Sequence, residues 1–273
     1  MPHTENTGTK IYWEEHGSGE PMLMIMGLGA SLDWWHRTLP VVSRHYRAIL
    51  FDNRGVGRSD QPPGPYTIAQ MAADAAAVLD AAGIHRAHVF GVSMGGIIAQ
   101  EFVLQYPERV HGLILGGTAC DGLQAIRADP EASKLLVMRP QMTMDEALEA
   151  SVSILYDAGT LRAKIEEDFV VRRRRYPTAP ACTAQMQAVF AWQSYDRLPQ
   201  VTSPTLVIHG ESDRLVPPAN GELIASRIPG AKLVLLPHAG HLFTTDQPEA
   251  AHEALLAFLQ SVSPRENVAG QTP

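Results

Sequence analysis

The chain has 273 residues, enough for two average domains but also a length that α/β folds use for one. Hydrophobic residues make up 45% and charged residues 19% of the sequence, which provides a large core and excludes a disordered chain. The formal net charge of −7 argues against a nucleic-acid-binding protein, because phosphates require a basic surface.

The beginning of the sequence is polar and lacks the basic and apolar regions of a signal peptide. No apolar run reaches the roughly 20 residues that span a bilayer. Cys120 and Cys182 are the two cysteines, so no disulfide framework is indicated. Two reduced thiols fit a cytosolic protein, although one bridge between them stays open. We therefore expect a cytoplasmic protein without a membrane partner.

Short apolar strands and an amphipathic helix alternate over the first 119 residues. Strands are predicted at 10–15, 21–26, 47–52, 87–92 and 110–116, and the 3.6-residue spacing of apolar residues predicts a helix over 68–82. Near-continuous apolar runs such as Leu113-Ile-Leu115 are typical of parallel strands covered by helices on both faces. The alternation predicts an α/β fold with an open, mostly parallel sheet.

The alternation stops between residues 120 and 198, where the pattern is helical. Asp129-Pro130 resembles a helix N-cap with proline at the first position, and Thr143 with Glu146 forms a capping box. Further helices are predicted at 161–175 and 182–194, and strands resume at 205–209 and 232–236. We therefore predict a core of residues 1–119 and 199–273 and a helical cap of residues 120–198. Such a cap would lie over the carboxyl ends of the strands, where open α/β sheets bind ligands.

The segment Gly91-Val-Ser93-Met-Gly95-Gly96 is the first that indicates a catalytic function. A Gly-x-Ser-x-Gly match alone is modest evidence, but here a predicted strand runs into it and a predicted helix over 95–106 leaves it. This strand–turn–helix setting is required of a nucleophile elbow, whose flanking positions must be glycine because strand and helix approach closely. Ser93 is the candidate nucleophile. The alternative is a small-residue turn that serves packing alone.

A serine nucleophile needs an adjacent base, and the sequence has eleven histidines. His241 follows the predicted strand 232–236 and precedes a predicted helix, which places it at the same sheet edge as Ser93. His238 lies three residues earlier and is the alternative. Gly240 favours His241, because a glycine lets the chain turn the next side chain toward the site. His209 ends a strand and is interpreted as a support for the following loop.

Together these segments resemble the α/β-hydrolase family. Gly91–Gly96, Gly210-Glu-Ser-Asp213 and Gly240-His241 follow in the family order Ser…Asp…His, and the resemblance covers nearly the whole chain. It implies an α/β-hydrolase fold, a twisted sheet flanked by helices, with the cap inserted after the sixth family strand. Within the family the chain looks most like small esterases, enol-lactonases and cofactor-free haloperoxidases.

The resemblance implies that Asp213 is the acid that orients His241 and stabilises its imidazolium form. Asp121 is the alternative, because some members of the family take their acid from the loop after the strand predicted at 110–116. The order of preference is Asp213 and then Asp121.

The oxyanion of the tetrahedral intermediate needs two preorganised N–H donors. The resemblance implies the backbone N–H of Met94, directly after the nucleophile, and that of Leu28 in the loop after the second strand. Many relatives have a histidine where this chain has Met26, which leaves the support of that loop open. Trp34 or Trp35 could wall the acyl pocket or simply pack in the core.

Two further segments are interpreted as structural. The loop 52–59 matches a family loop in which glycines form tight turns and Arg54 ties loops together. The run Arg172–Arg175 points around most of a helix, so a solvated surface is preferred over an anion-binding site. No metal-ligand or phosphate-binding motif is present, so neither a metal nor another cofactor is implied.

The serine at the elbow selects acyl transfer, because relatives that open epoxides or cleave carbon–halogen bonds carry aspartate there. We therefore expect a serine hydrolase that acts on a small-molecule partner, a carboxylic ester or lactone. A carbon–carbon bond hydrolase, a thioesterase and a perhydrolase would use the same residues and stay open. The alternative from another class is a non-catalytic ligand-binding protein on this scaffold.

Overall fold

The strands of the protein form one sheet in the computed structural model, which describes residues 2–120 and 124–262. The sheet order is β1-β2-β4-β3-β5-β6-β7-β8. The pairs β1–β2 and β2–β4 are antiparallel and the other neighbours are parallel. The strands are β1 (His3–Asn6), β2 (Thr9–His16), β3 (Glu20–Ile25), β4 (Tyr46–Phe51), β5 (Ala87–Val92), β6 (Val110–Gly116), β7 (Thr205–Gly210) and β8 (Lys232–Leu236).

The mostly parallel sheet and all seven predicted strands are confirmed, with bounds that differ by at most one residue. β1 was not predicted, because its residues His-Thr-Glu-Asn include no apolar side chain. It forms through backbone pairing at the edge of the sheet, where His3 lies opposite Tyr12. A polar edge strand of this kind also resists pairing with other chains.

Helices cover both faces of the sheet. Successive residues of β3 point to opposite faces: Leu23 packs in the cluster that contains α2 and α3, and Met24 packs in the cluster that contains α11. Both faces are therefore buried, which explains the continuous apolar runs. The helices are α1 (Leu39–Val42), α2 (Ile68–Ala81), α3 (Met94–Gln105), α4 (Pro130–Met138), α5 (Met144–Ala150), α6 (Val152–Leu155), α7 (Arg162–Arg174), α8 (Ala179–Phe190), α9 (Ala219–Arg227), α10 (Phe243–Asp246) and α11 (Pro248–Val262).

Helices α4 to α8 lie between β6 and β7, in a segment that we call the helical insertion (residues 124–198 of the described chain). Asp129 caps α4 by accepting the N–H of Glu131, and Thr143 with Glu146 forms the predicted capping box of α5. Helix α8 begins three residues before its predicted start, because Pro180 is accommodated in its first turn rather than breaking it. The role of this segment as a cap stays a prediction.

Parallel strands bring their carboxyl ends to one edge of a sheet. β5, β7 and β8 end at Val92, Gly210 and Leu236, and the loops that follow them therefore open on the same edge. Within the described residues, no helix combines the length and apolar character that crossing a bilayer requires.

Candidate active site

Ser93 occupies a sharp turn between β5 and α3. Its backbone has φ 57° and ψ −124°, a conformation that costs about 1–3 kcal/mol for a residue with a side chain. The flanking glycines make the turn possible: a Cβ on Gly91 would lie 2.1 Å from the carbonyl oxygen of Gly95, and a Cβ on Gly95 would lie 2.0 Å from that of Ile25. The strained, glycine-flanked turn is the geometry that the sequence motif predicts.

His241 and Asp213 form a buried hydrogen-bonded pair, with His241 Nδ1 2.7 Å from Asp213 Oδ2. The other carboxylate oxygen accepts the backbone N–H groups of Leu215 (3.0 Å) and Val216 (2.8 Å). Burial by itself raises the pKa of Asp213, but the interaction with His241 and a hydrogen bond from His209 outweigh it and hold that pKa below its usual value. Asp213 therefore remains a carboxylate beside the imidazole.

The pair lies next to the elbow. The Ser93 N–H donates to the carbonyl of Gly116 at 2.8 Å. The following residue, Gly117, packs against the dyad, since a Cβ there would be 3.4 Å from His241 Nδ1 and 3.6 Å from Asp213 Oδ2. The structure thus brings the three predicted side chains to one place at the sheet edge.

The two alternatives from the sequence have different outcomes. His238 is exposed on the loop before His241. Asp121 lies outside the described residues. His209 supports the loop after β7 as interpreted, because its Nε2 donates to the carbonyl oxygen of Val216 at 2.7 Å.

The loop that carries Leu28 lies directly against Ser93. A Cβ on Gly27 would be 3.0 Å from Ser93 Cβ and 3.4 Å from Ser93 Oγ. The loop turns tightly, with Ala30 N–H donating to Gly27 O at 3.3 Å and Gly29 at φ 67°. Met94 is the first residue of α3, so its N–H belongs to the set that has no acceptor inside the helix.

Three side chains from two places hold this loop. Asn53 donates to the Met26 carbonyl at 2.8 Å, and Asp52 accepts the Leu32 N–H at 2.7 Å. Gln185 of α8 accepts the Gly29 N–H at 2.8 Å and donates to the Arg54 carbonyl at 2.8 Å. Because Met26 replaces the histidine of many relatives, the sequence left open what supports this loop. These polar groups supply that support. Gln185 was missed because its partner is 156 residues away and nothing local marks it.

The loop 52–59 is structural, as interpreted. Arg54 pairs with Asp74 of α2 through two hydrogen bonds of 2.6 and 2.7 Å, and both side chains are buried. Gly57 has φ 63°, and a Cβ there would overlap the Asp52 carboxylate. The loop thus fixes Asp52 and Asn53, which in turn hold the Leu28 loop.

Two cavities flank the site. One is lined by His241 and Val92 together with Met26, Trp34 and Arg172. The other lies beyond Leu28 and is lined mainly by apolar residues of the insertion, including Met142, Cys182 and Met186. Cys120 and Cys182 are both buried, and no disulfide joins them.

The interpretation of Arg172–Arg175 as a solvated run is wrong for its first residue. Arg173, Arg174 and Arg175 are exposed, but Arg172 is 5% exposed and faces the interior. It lies on the same helical face as Ile165, Asp168 and Phe169, which are also buried. A run of four residues covers most of a helix, so one of its members has to meet the buried face.

The chain is similar to known proteins over nearly its whole length. Residues 20–248 match the family model described as "alpha/beta hydrolase fold". A protein of Azorhizobium caulinodans named "Putative carbamate hydrolase RutD" is 32% identical over 266 residues, which cover 94% of this chain and 98% of that protein.

Two solved structures add to this similarity. The enol-lactonase of Burkholderia xenovorans LB400 has a TM-score of 0.85 and 25% identity, with 95% of this chain and 100% of that chain covered. A thermophilic esterase of Thermogutta terrifontis has a TM-score of 0.81 and 29% identity, with 96% and 97% covered.

Proposed function

Since the chain is a hydrolase that belongs to the alpha/beta hydrolase family, we propose that it cleaves a small carboxylic ester or lactone through an acyl-enzyme on Ser93. The observation that carries the proposal is the buried His241–Asp213 pair beside the strained turn at Ser93. A nucleophile, a base and a group that orients the base are the parts that acyl transfer needs.

The reaction has two halves. His241 takes the proton of Ser93 as the hydroxyl attacks the carbonyl carbon, and the tetrahedral oxyanion accepts hydrogen bonds from the N–H groups of Leu28 and Met94. His241 then donates its proton to the leaving alcohol. Water, deprotonated by the same histidine, attacks the acyl-enzyme, and His241 returns this proton to the Ser93 oxygen as the acid is released.

Asp213 acts through His241. Its hydrogen bond to Nδ1 fixes the tautomer in which Nε2 is free to accept the serine proton. Its lowered pKa supports this role, because the carboxylate stays ionised while the imidazolium forms next to it.

The names of the relatives favour one competing substrate class. The curated relative is called a carbamate hydrolase and the solved relatives are an esterase and an enol-lactonase. A carbamate would react at the same serine by the same steps, but an amine-bearing acyl group deactivates its carbonyl. An ester and a carbamate that carry the same leaving group therefore distinguish the two functions.

The test combines a substrate panel with active-site labelling. 4-Nitrophenyl esters of increasing acyl length, a γ-lactone and a 4-nitrophenyl carbamate are assayed with the wild type and with Ser93→Ala. A fluorophosphonate should label the wild type at Ser93, and peptide mass spectrometry can locate the labelled residue. Hydrolysis that survives in Ser93→Ala would contradict the mechanism, and labelling without turnover of any substrate would favour a ligand-binding protein.

A further inference from the structure

Arg172 is a buried cation in the wall of the cavity beside His241. Its guanidinium lies 4.8 Å from the centre of the Trp34 ring, and its Nη1 donates to Ser151 Oγ at 3.2 Å. Within residues 2–120 and 124–262, its Nε has no hydrogen-bond acceptor. A buried charge with incomplete hydrogen bonding is costly, so an accessible anion would be stabilised there.

No carboxylate of the described chain forms an ion pair with Arg172 within 4.0 Å. The nearby carboxylate of Asp168 is bound by other groups: it accepts from Arg37 at 2.9 Å, from Thr245 at 2.7 Å and from Tyr156 at 3.1 Å. Burial lowers the pKa of Arg172, and together with the charge of Arg139 it outweighs the opposing effects of Tyr156 and of the Asp168 charge. Arg172 is thus a cation without a counter-ion of its own.

The same cavity wall carries further donors without acceptors. The indole N–H groups of Trp34 and Trp35 are buried, and neither has a hydrogen-bond partner in the described part of the chain. These two groups and the Arg172 guanidinium can only donate hydrogen bonds. The carboxylate of Asp168 also lines this cavity, but both of its oxygens already accept hydrogen bonds from protein groups. The unsatisfied donors of Arg172, Trp34 and Trp35 therefore match a ligand group that only accepts.

We propose that Arg172 binds a carboxylate carried by the substrate, so that the physiological substrates are esters or lactones with a second, ionised carboxyl group. The proposal rests on acyl transfer at Ser93, because His241 and Arg172 line the same cavity. A planar guanidinium fits a carboxylate through two parallel hydrogen bonds. One unpaired cation also matches the single charge of a carboxylate rather than a phosphate dianion.

The test compares two esters that differ only at the end of the acyl chain. Mono-4-nitrophenyl glutarate ends in a carboxylate, and 4-nitrophenyl 5-methylhexanoate ends in an isopropyl group of the same shape. For the wild type we expect kcat/KM to be about 30-fold higher for the glutarate ester, as a charge-assisted hydrogen-bonded pair would provide. A series of 4-nitrophenyl monoesters from malonate to adipate identifies the acyl length at which the preference is largest.

Arg172→Met should abolish the preference, so that kcat/KM becomes about equal for the two esters. Arg172→Lys should keep part of the preference, because it keeps the charge but not the paired hydrogen bonds. The matched control is Arg174→Met, two residues along the same helix and exposed, which should keep the wild-type ratio. A purely structural Arg172 would instead lower the rates for both esters equally.

The outcomes separate this inference from the proposed function. If the wild type hydrolyses the neutral ester through Ser93 but prefers no carboxylated ester of any length, the role of Arg172 is overturned and acyl transfer at Ser93 stands. If Ser93→Ala retains the activity, the proposed function itself fails. Should Arg172→Met not fold by circular dichroism, the wild-type ratio and the Arg172→Lys ratio decide the question.

Discussion

At the sheet edge, Ser93 and His241 follow β5 and β8 within a few residues, whereas Gln185 and Arg172 reach the site from helices of the insertion. The two regions also differ in packing. Around the elbow, glycines stand where even a methyl group would overlap the backbone. In the described chain, the large hydrophobic side chains that are strongly exposed all lie in the insertion: Ile126, Val137, Met138, Leu161, Val170 and Phe190.

The difference separates two ways of building a site. The sheet edge holds the proposed reacting groups through short backbone links and close packing, so a change of one atom there should affect the chemistry. The insertion contributes through single side-chain contacts such as the Gln185 bridge between the Gly29 and Arg54 backbones. Changes in the insertion should therefore alter positioning and substrate preference more than the reaction itself.

The largest effect is expected at the proposed nucleophile. Ser93→Ala should lower kcat for an activated aryl ester by at least about 10⁴-fold, because the covalent route is lost. Circular dichroism should show an unchanged fold, and the exposed Ser226→Ala serves as the control. Activity above about a hundredth of the wild type would remove Ser93 from the mechanism.

The next effect concerns the proposed acid at the same edge. Asp213→Asn keeps the side-chain volume but favours the wrong tautomer of His241, and we expect kcat to fall by about 10²–10⁴. Asp121→Asn should stay within about tenfold. Steady-state kinetics of both folded variants on one ester decide the assignment. A large loss of kcat in Asp121→Asn together with a nearly unchanged kcat in Asp213→Asn would reverse it.

A smaller effect is expected from the insertion. Gln185→Leu removes the bridge that holds the Leu28 loop, and we expect kcat to fall about tenfold with little change in KM, because a misplaced oxyanion donor weakens transition-state binding. Gln187→Leu, exposed on the same helix, should behave as the wild type. A rise in KM with kcat unchanged would mean that Gln185 acts on substrate binding instead.

The smallest effect on activity is expected where the insertion is fastened to the core. Asp168 of α7 is bound by Arg37 and Thr245 from outside the insertion. Burial by itself raises the pKa of Asp168, but hydrogen bonds from His36 and Thr245 and the charge of Arg37 outweigh it and keep that pKa below its usual value. Asp168→Asn should lower the free energy of unfolding at pH 7 by about 2 kcal/mol and leave kcat within threefold.

The pH dependence follows from the sign of that shift. A lowered folded pKa stabilises the protein above the unfolded value of about 3.9, and the stabilisation is lost as the pH falls through the folded value. The difference in Tm between the wild type and Asp168→Asn should therefore shrink between pH 7 and pH 3. A difference that stays constant over this range would show that the carboxylate charge is not what fastens α7.

Most of the fold could be predicted because its signals are local. The seven apolar strands, the capping box at Thr143 and the glycines around Ser93 each depend on residues close in sequence. Strand β1 could not be predicted, because it is stabilised by backbone pairing with β2 rather than by its own side chains. The start of α8 was misplaced because a proline can either begin or break a helix, and only the packed structure decides between the two.

The sequence alone determined where the proposed reacting groups lie along the chain, since strand ends and glycine turns depend on neighbouring residues. Only the tertiary structure decided which distant side chains meet them. The burial of Arg172 depends on which face of α7 packs toward the core, and the bridge of Gln185 depends on how α8 lies on the Gly29 loop. Such contacts join residues far apart in sequence, and their energy comes from packing and desolvation, which no local pattern records.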